Sequence, residues 1–177
     1  MKTPKHVFVS LGLLIAMTLS AHAQMESRLN PTSISPNAEA NISIVDRYVE
    51  AIFTEDYATM RSMVTDNYIS LDNTEVGDTA TIDDVIAAWK ENHKVNADHT
   101  LQGFHSALMV DEGPQKGDWI LFWGWAGWNN EVMNKQMGMP IHLVFQIQDG
   151  KIAVDAAYYD SRGILEEMGF AIVPPEE

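Results

Sequence analysis

The chain has 177 residues, no cysteine and a formal net charge of −14. That length suits one domain able to bury its own core, and the missing cysteine excludes disulfides and a sulfur-linked lipid anchor. The acid excess argues against nucleic acid or an anionic membrane as partner and otherwise reads as solubility. Lys2 and Lys5 precede an apolar run over 7–19, broken only by Ser10, Gly12 and Thr18, and Ala21 and Ala23 supply the small residues of a signal-peptidase site. The run is shorter than the ~20 residues that span a bilayer comfortably. Residues 1–23 are therefore expected to be a cleaved signal peptide; the alternative is an uncleaved N-terminal anchor. Cleavage implies export to the periplasm or the exterior, and losing Lys2 and Lys5 takes the charge from −14 to −16.

Residues 24–37 are polar and aperiodic and read as a flexible leader, ending in Ser35 and Pro36, an N-cap followed by proline at the first helical position. Ile42, Val45, Val49, Ile52 and Phe53 then recur at helical spacing, with Tyr48 beside that stripe. Asp56 is placed to cap a short second helix carrying Met60, Met63 and Val64, and 68–71 is a short β-type run ending at Asp72. Thr81 and Asp84 form a capping-box pattern ahead of a third helix whose apolar face is Ile82, Val85, Ile86 and Trp89.

Beyond that helix the period changes to two. Residues 99–110, 119–128, 141–148 and 152–159 read as strands, with Asp149 and Gly150 as a hairpin turn between the last two. Residues 129–140 read as a long loop overhanging a cavity, 161–169 as a last short helix and 171–177 as a tail. Gly124 and Gly127 suggest bends or bulges that curve the sheet. Trp119, Leu121, Trp123 and Trp125 share one strand face and Phe122, Gly124 and Ala126 the other. Helices first and antiparallel strands afterwards is an α+β arrangement over 38–170, helices on one face of a curved sheet, which leaves a cavity between them. The histidines follow no metal-binding spacing, and no phosphate loop, nucleophile elbow or dinucleotide fingerprint occurs, so no metal or cofactor is expected.

The order helix, helix, short strand, helix, four strands resembles the NTF2-like superfamily, and the stretch from Asp149, Gly150, Lys151 and Ile152 to Tyr158, Tyr159 and Asp160 is similar to the SnoaL-like ending. Within it, Val45, Asp46, Arg47, Tyr48 and Val49 through Leu71 and Asp72 resemble the opening of bacterial ketosteroid isomerases. That resemblance implies a pocketed cone in which Tyr48 donates a hydrogen bond to a substrate oxygen and Asp72 is the base. It also implies that His142, just after Pro140 and Ile141, stands where the family keeps a protonated aspartate, a second donor to the substrate oxygen that stabilises the developing enolate. A residue next to the base also differs, Asn73 replacing the family's proline. A His–Asp–Tyr set is similar as well to the scytalone dehydratase branch. The Asp–Arg–Asp set of the epoxide hydrolase branch is not matched, because Arg28, Arg47, Arg61 and Arg162 lie away from the strands.

Read from the residues alone, Tyr48 can equally be a core tyrosine and Asp72 a turn-forming aspartate. Alternation places His142 opposite Ile141 and Leu143, facing either the cavity or solvent. Trp89, His105, Trp123, Trp125 and Tyr158 are the candidate ligand contacts. The expected partner is a small, largely apolar molecule, handled by cofactor-free proton transfer or elimination next to a carbonyl. The rival expectation is a non-catalytic binding or assembly module that homodimerises through its aromatic sheet face.

Overall fold

The computed structural model describes residues 32–71, 78–171 and 173. The expected signal peptide, most of the leader, and Asp72 lie outside the described residues. Six strands, β1 (Thr32–Ile34), β2 (Val64–Ser70), β3 (Asn96–Val110), β4 (Gly117–Asn130), β5 (Lys135–Gln148) and β6 (Lys151–Tyr159), form one sheet in the order β1-β3-β4-β5-β6-β2. All pairings are antiparallel except β2 with β6. Four helices accompany it: α1 (Ala38–Phe53), α2 (Tyr57–Ser62), α3 (Ile82–Asn92) and α4 (Ser161–Glu167). No described helix is long and apolar enough to cross a membrane.

Local chemistry sets most boundaries. Asp56 accepts from the Thr59 amide and starts α2, and Thr81 and Asp84 form a complete capping box on α3. Asp149 and Gly150 both adopt positive φ (51° and 75°), as a tight two-residue hairpin turn requires. Two expectations shift. The helix after the leader begins at Ala38, with Asn37 at the N-cap position and no side-chain cap bond; the Ser35 hydroxyl donates to Asp118 Oδ1 at 2.5 Å and accepts from the Asn37 amide at 3.1 Å. The leader itself ends in β1, whose residues pair with Val110, Met109 and Leu108, so this part is an edge strand and not a flexible segment.

The expected loop over 129–140 is corrected more fully. Only Glu131 to Asn134 turn the chain, and β5 pairs with β4 from Lys135 onward. Pro140 is accommodated because β6 reaches β5 only as far as Ile141, so proline stands where β5 has become an edge on that side. The helix-facing side of the sheet carries the core. Val45, Tyr48 and Ile52 of α1, Met60 of α2 and Ile86 of α3 pack on Ile120, Phe145, Ile147 and Ile152 of the sheet.

Curvature comes from a glycine pair. Gly103 and Gly124 are register partners on β3 and β4, and the Phe122 ring lies across both. A Cβ at Gly103 would meet the Trp123 carbonyl oxygen at 2.1 Å, and one at Gly124 the Gln102 carbonyl oxygen at 2.2 Å. The backbones can close to this degree only because neither residue has a side chain. At the other end of β3, Asp98 at φ 52° accompanies a register shift between Ala97 and Thr100.

Candidate functional site

Helix α1 has two working flanks. Val45, Tyr48 and Ile52 face the core, whereas Asp46, Val49, Glu50 and Phe53 look toward β3. Strand β1 covers the edge of β3 only at Leu108, Met109 and Val110, so the stretch of β3 from His99 to His105 meets α1 directly. Between them lies a cavity of about 510 Å³, closed at its base by Phe122 of β4 and Leu143 of β5. Ligand sites commonly fall in this size range with mainly apolar walls and a few convergent polar groups.

His105 is the most suggestive of those polar groups. Alternation from Phe104, which faces outward, turns it inward against Phe122, with ring centroids 5.2 Å apart. Its Nε2 lies 3.3 Å from Asp46 Oδ1, and its side chain is 20% exposed against 59% for Asp46. The contact sets the Asp46 carboxylate beside Nε2 as an electrostatic partner, which favours a proton on that nitrogen and leaves Nδ1 as the accepting one. The pair can therefore hold a ligand donor or accept a proton.

The far end of the cavity is an aromatic and histidine cluster. His99 stacks on Phe53 at 5.6 Å and meets Trp89 edge-on at 5.6 Å. Its Nε2 donates to Asn92 Oδ1 at 3.0 Å. Burial, and then repulsion from His93, hold its pKa below the ordinary histidine value against the opposing pull of Asp98. His93 shares a hydrogen bond with the Tyr57 hydroxyl through Nδ1, at 3.0 Å, and its buried Nε2 has no hydrogen-bond partner. Among the described residues no three His, Asp or Glu side chains are grouped to hold a metal ion.

Under the opposite flank of α1 lies a second polar group, fully internal. Tyr48 is 1% exposed and its hydroxyl sits 3.4 Å from that of Tyr68, which in turn donates to Asp155 Oδ2 at 2.7 Å. Asp155 is held above the usual carboxylate range by burial, opposed by hydrogen bonds from Ser70, Tyr68 and Tyr48. Burial and the Asp155 charge push both tyrosines upward, so they remain neutral donors.

Of the candidate residues, His105 lines the cavity, and Trp89 stands behind its wall through Phe53 and His99. Tyr48 does not reach it. His142 is on the other side of the sheet: it is sandwiched between Trp123 (4.8 Å) and Tyr158 (5.9 Å), and its Nδ1 donates to the Phe122 carbonyl at 2.9 Å. Trp123 stacks in turn on Phe104, giving a row of four rings across β3, β4, β5 and β6. Trp123, Trp125 and Tyr158 are therefore outer-face residues, not cavity contacts; the inward positions of β4 and β5 belong to Phe122 and Leu143, and pleating turns their neighbours outward. The structure thus does not bring Tyr48 and His142 together. Two participants escaped the sequence reading. Asp46 meets His105 across a separation no motif encodes. Asp155 carried a faint signal, an acid on the inward side of β6 between Ala153 and Ala157.

No family model matches the chain, and no curated protein sequence matches it. Solved structures do resemble it in fold. A protein of ketosteroid isomerase-like fold from Catenulispora acidiphila, in complex with trimethylamine, has a TM-score of 0.56 at 13% identity, covering 74% of this chain and 97% of that one. A candidate SnoaL-like polyketide cyclase from Shewanella putrefaciens gives 0.56 at 14%, covering 73% and 96%. An NTF2-like protein from Burkholderia xenovorans gives 0.56 at 12%, covering 72% and 95%.

Proposed function

We propose that this chain, with its NTF2-like α+β fold, binds a small, largely apolar molecule between α1 and β3, with His105, oriented by Asp46, as its acid–base group. The observation that carries this reading is the 3.3 Å His105–Asp46 contact at a cavity whose apolar walls include Val49, Leu101, Phe122 and Leu143, with Glu50, His99, Thr100 and Gln102 as its other polar side chains. The fold is compatible with small ligands, since the Catenulispora protein holds trimethylamine. As chemistry, the Nδ1 lone pair takes a proton from carbon next to a carbonyl and returns it two carbons further on, or assists loss of water. No cofactor enters such a step.

A simple β,γ-unsaturated ketone, 3-cyclohexenone, provides the test, since conjugation of its double bond changes its ultraviolet absorbance. The full chain should accelerate conversion, and His105→Asn should slow it by about 100-fold, the lower range for one general acid–base group. Tyr48→Phe and His142→Ala should leave the rate within a few-fold. A His105→Asn protein as fast as its parent sinks the assignment.

A second reading concerns the outer face. Phe104, Trp125 and Tyr158 are 63%, 53% and 59% exposed there, aromatic side chains of the kind enriched at interfaces. This supports a homodimer through the sheet, a reading that leaves the pocket in place, and export remains a separate proposal from the N-terminal sequence. Native mass spectrometry of the exported protein checks both at once. The expected species is a dimer of chains starting at Gln24, reduced to monomers by Trp125→Ser. A monomeric parent removes the dimer, and an intact Met1 removes cleavage.

A further inference from the structure

The cavity has a charge bias that its apolar walls do not require. Asp46 and Glu50 lie one helical turn apart on the same flank of α1, roughly 6 Å along the axis. Among the described residues no lysine or arginine lines the cavity. Glu50 forms no ion pair among the described residues, and Asp46 pairs only with His105. His99, on the facing wall, has its pKa lowered by burial and by His93 against the pull of Asp98, which disfavours a compensating charge there.

These surroundings discriminate between ligand head groups. An anionic head would stand beside two carboxylates with nothing to neutralise it, a like-charge arrangement that disfavours binding. A neutral head gains at most hydrogen bonds. A protonated amine meets two acceptors, has the rings of Phe53 and Phe122 nearby, and is drawn in by a chain whose net charge is −14.

We infer that the cavity takes an amphipathic organic cation, its ammonium beside Asp46 and Glu50 and its apolar body against Val49, Leu101, Phe122 and Leu143. This assignment rests on the reading of the α1–β3 cavity as a ligand site and adds the sign of the ligand's charge. It places the amine at the open flank of α1 and the hydrocarbon over the Gly103–Gly124 bend, where Phe122 forms the floor.

Three probes with the same phenylalkyl body separate the possibilities: 4-phenylbutylamine, 4-phenylbutanol and 4-phenylbutyrate. Each is titrated into the isotope-labelled full chain, and amide shifts at Gly103, His105 and Phe122 report occupancy. The amine should bind about fivefold more tightly than the alcohol, the scale of one exposed ion pair, and the butyrate more weakly than either. High salt should narrow the gap between amine and alcohol. Glu50→Gln should narrow it as well, by weakening the amine more than the alcohol. Equal affinities, or a preference for butyrate, with shifts still centred on Gly103, His105 and Phe122 overturn the charge assignment and leave the cavity reading standing. A preference untouched by both Glu50→Gln and Asp46→Asn overturns it too, since the charge would then be read elsewhere. Failure of all three probes to shift those amides removes the cavity reading and this inference with it.

Discussion

Gly124→Ala is expected to destabilise the protein by about 3 kcal/mol, the upper end of the cost of overfilling a packed interior. The new methyl would stand 2.2 Å from the Gln102 carbonyl oxygen and 2.5 Å from Phe122 Cζ. One obstacle is backbone on the neighbouring strand, so β3 and β4 must part; the other is a ring that is itself 3% exposed and has little room to withdraw. Against a typical total stability of ~5–15 kcal/mol this is a large fraction. Displacing Phe122 also fills the floor of the α1–β3 cavity, so probe affinity should fall together with stability. Gly163→Ala is the natural contrast: it lies in α4, its Cβ would be 3.3 Å from Asp160 Oδ2, and alanine is favoured over glycine in a helix by ~0.5–1 kcal/mol. Urea denaturation of the two variants checks the pair. A Gly124→Ala protein within 1 kcal/mol of its parent would mean that the strands open easily at this point and that the bend is not set by the glycines.

The elements of the fold were legible because their signals are local. Val45, Val49 and Ile52 mark α1 by spacing, Thr81 and Asp84 close their own capping box, and Asp149 and Gly150 define their hairpin within two residues. What failed was whatever depends on a distant partner. Ser35 looked like a cap but is drawn to Asp118, which lies far along the chain. Thr32–Ile34 is too short to show periodicity and becomes a strand only because Leu108, Met109 and Val110 present an open edge. The methionines and glycine of 135–140 disguise a strand that β4 imposes by pairing.

The site follows the same division. Alternation correctly placed His142 opposite Leu143, but which of the two faces inward is a phase that only packing against α1 decides. The resemblance located the Pro140–Ile141–His142 position along the strand and not its face. His105 was a candidate by residue type, whereas Asp46, whose carboxylate lies beside its Nε2, became visible only when α1 was laid beside β3.

Asp155 leads to a stability profile of unusual sign. Its folded-state pKa is raised above the unfolded value by burial, so between those two values the folded chain holds a proton that the unfolded chain has released. Folding is then progressively disfavoured as pH rises through that window, with a slope of at most ~1.4 kcal/mol per pH unit, and the penalty levels off above the folded pKa. Asp56 and Asp84 act oppositely: hydrogen bonds from Thr59 and from Thr81 lower their pKa values, so their contribution is present above the unfolded value and is lost as pH falls. The parent profile sums these trends, and the difference between parent and Asp155→Asn isolates one of them. Asparagine can still accept from the Tyr68 hydroxyl but cannot ionise. Asp155→Asn should therefore gain on its parent as pH rises from the acidic range toward neutrality, measured as denaturation midpoints across pH. Asp155→Ala cannot ionise either, but the Tyr68 hydroxyl loses its acceptor and keeps only Tyr48 at 3.4 Å, so it should lie about 1–3 kcal/mol below Asp155→Asn at every pH. Parallel profiles for parent and Asp155→Asn would show that the carboxyl titrates alike in both states. A diverging pair would establish that folding raises the pKa of the acid held beside Tyr48 and Tyr68.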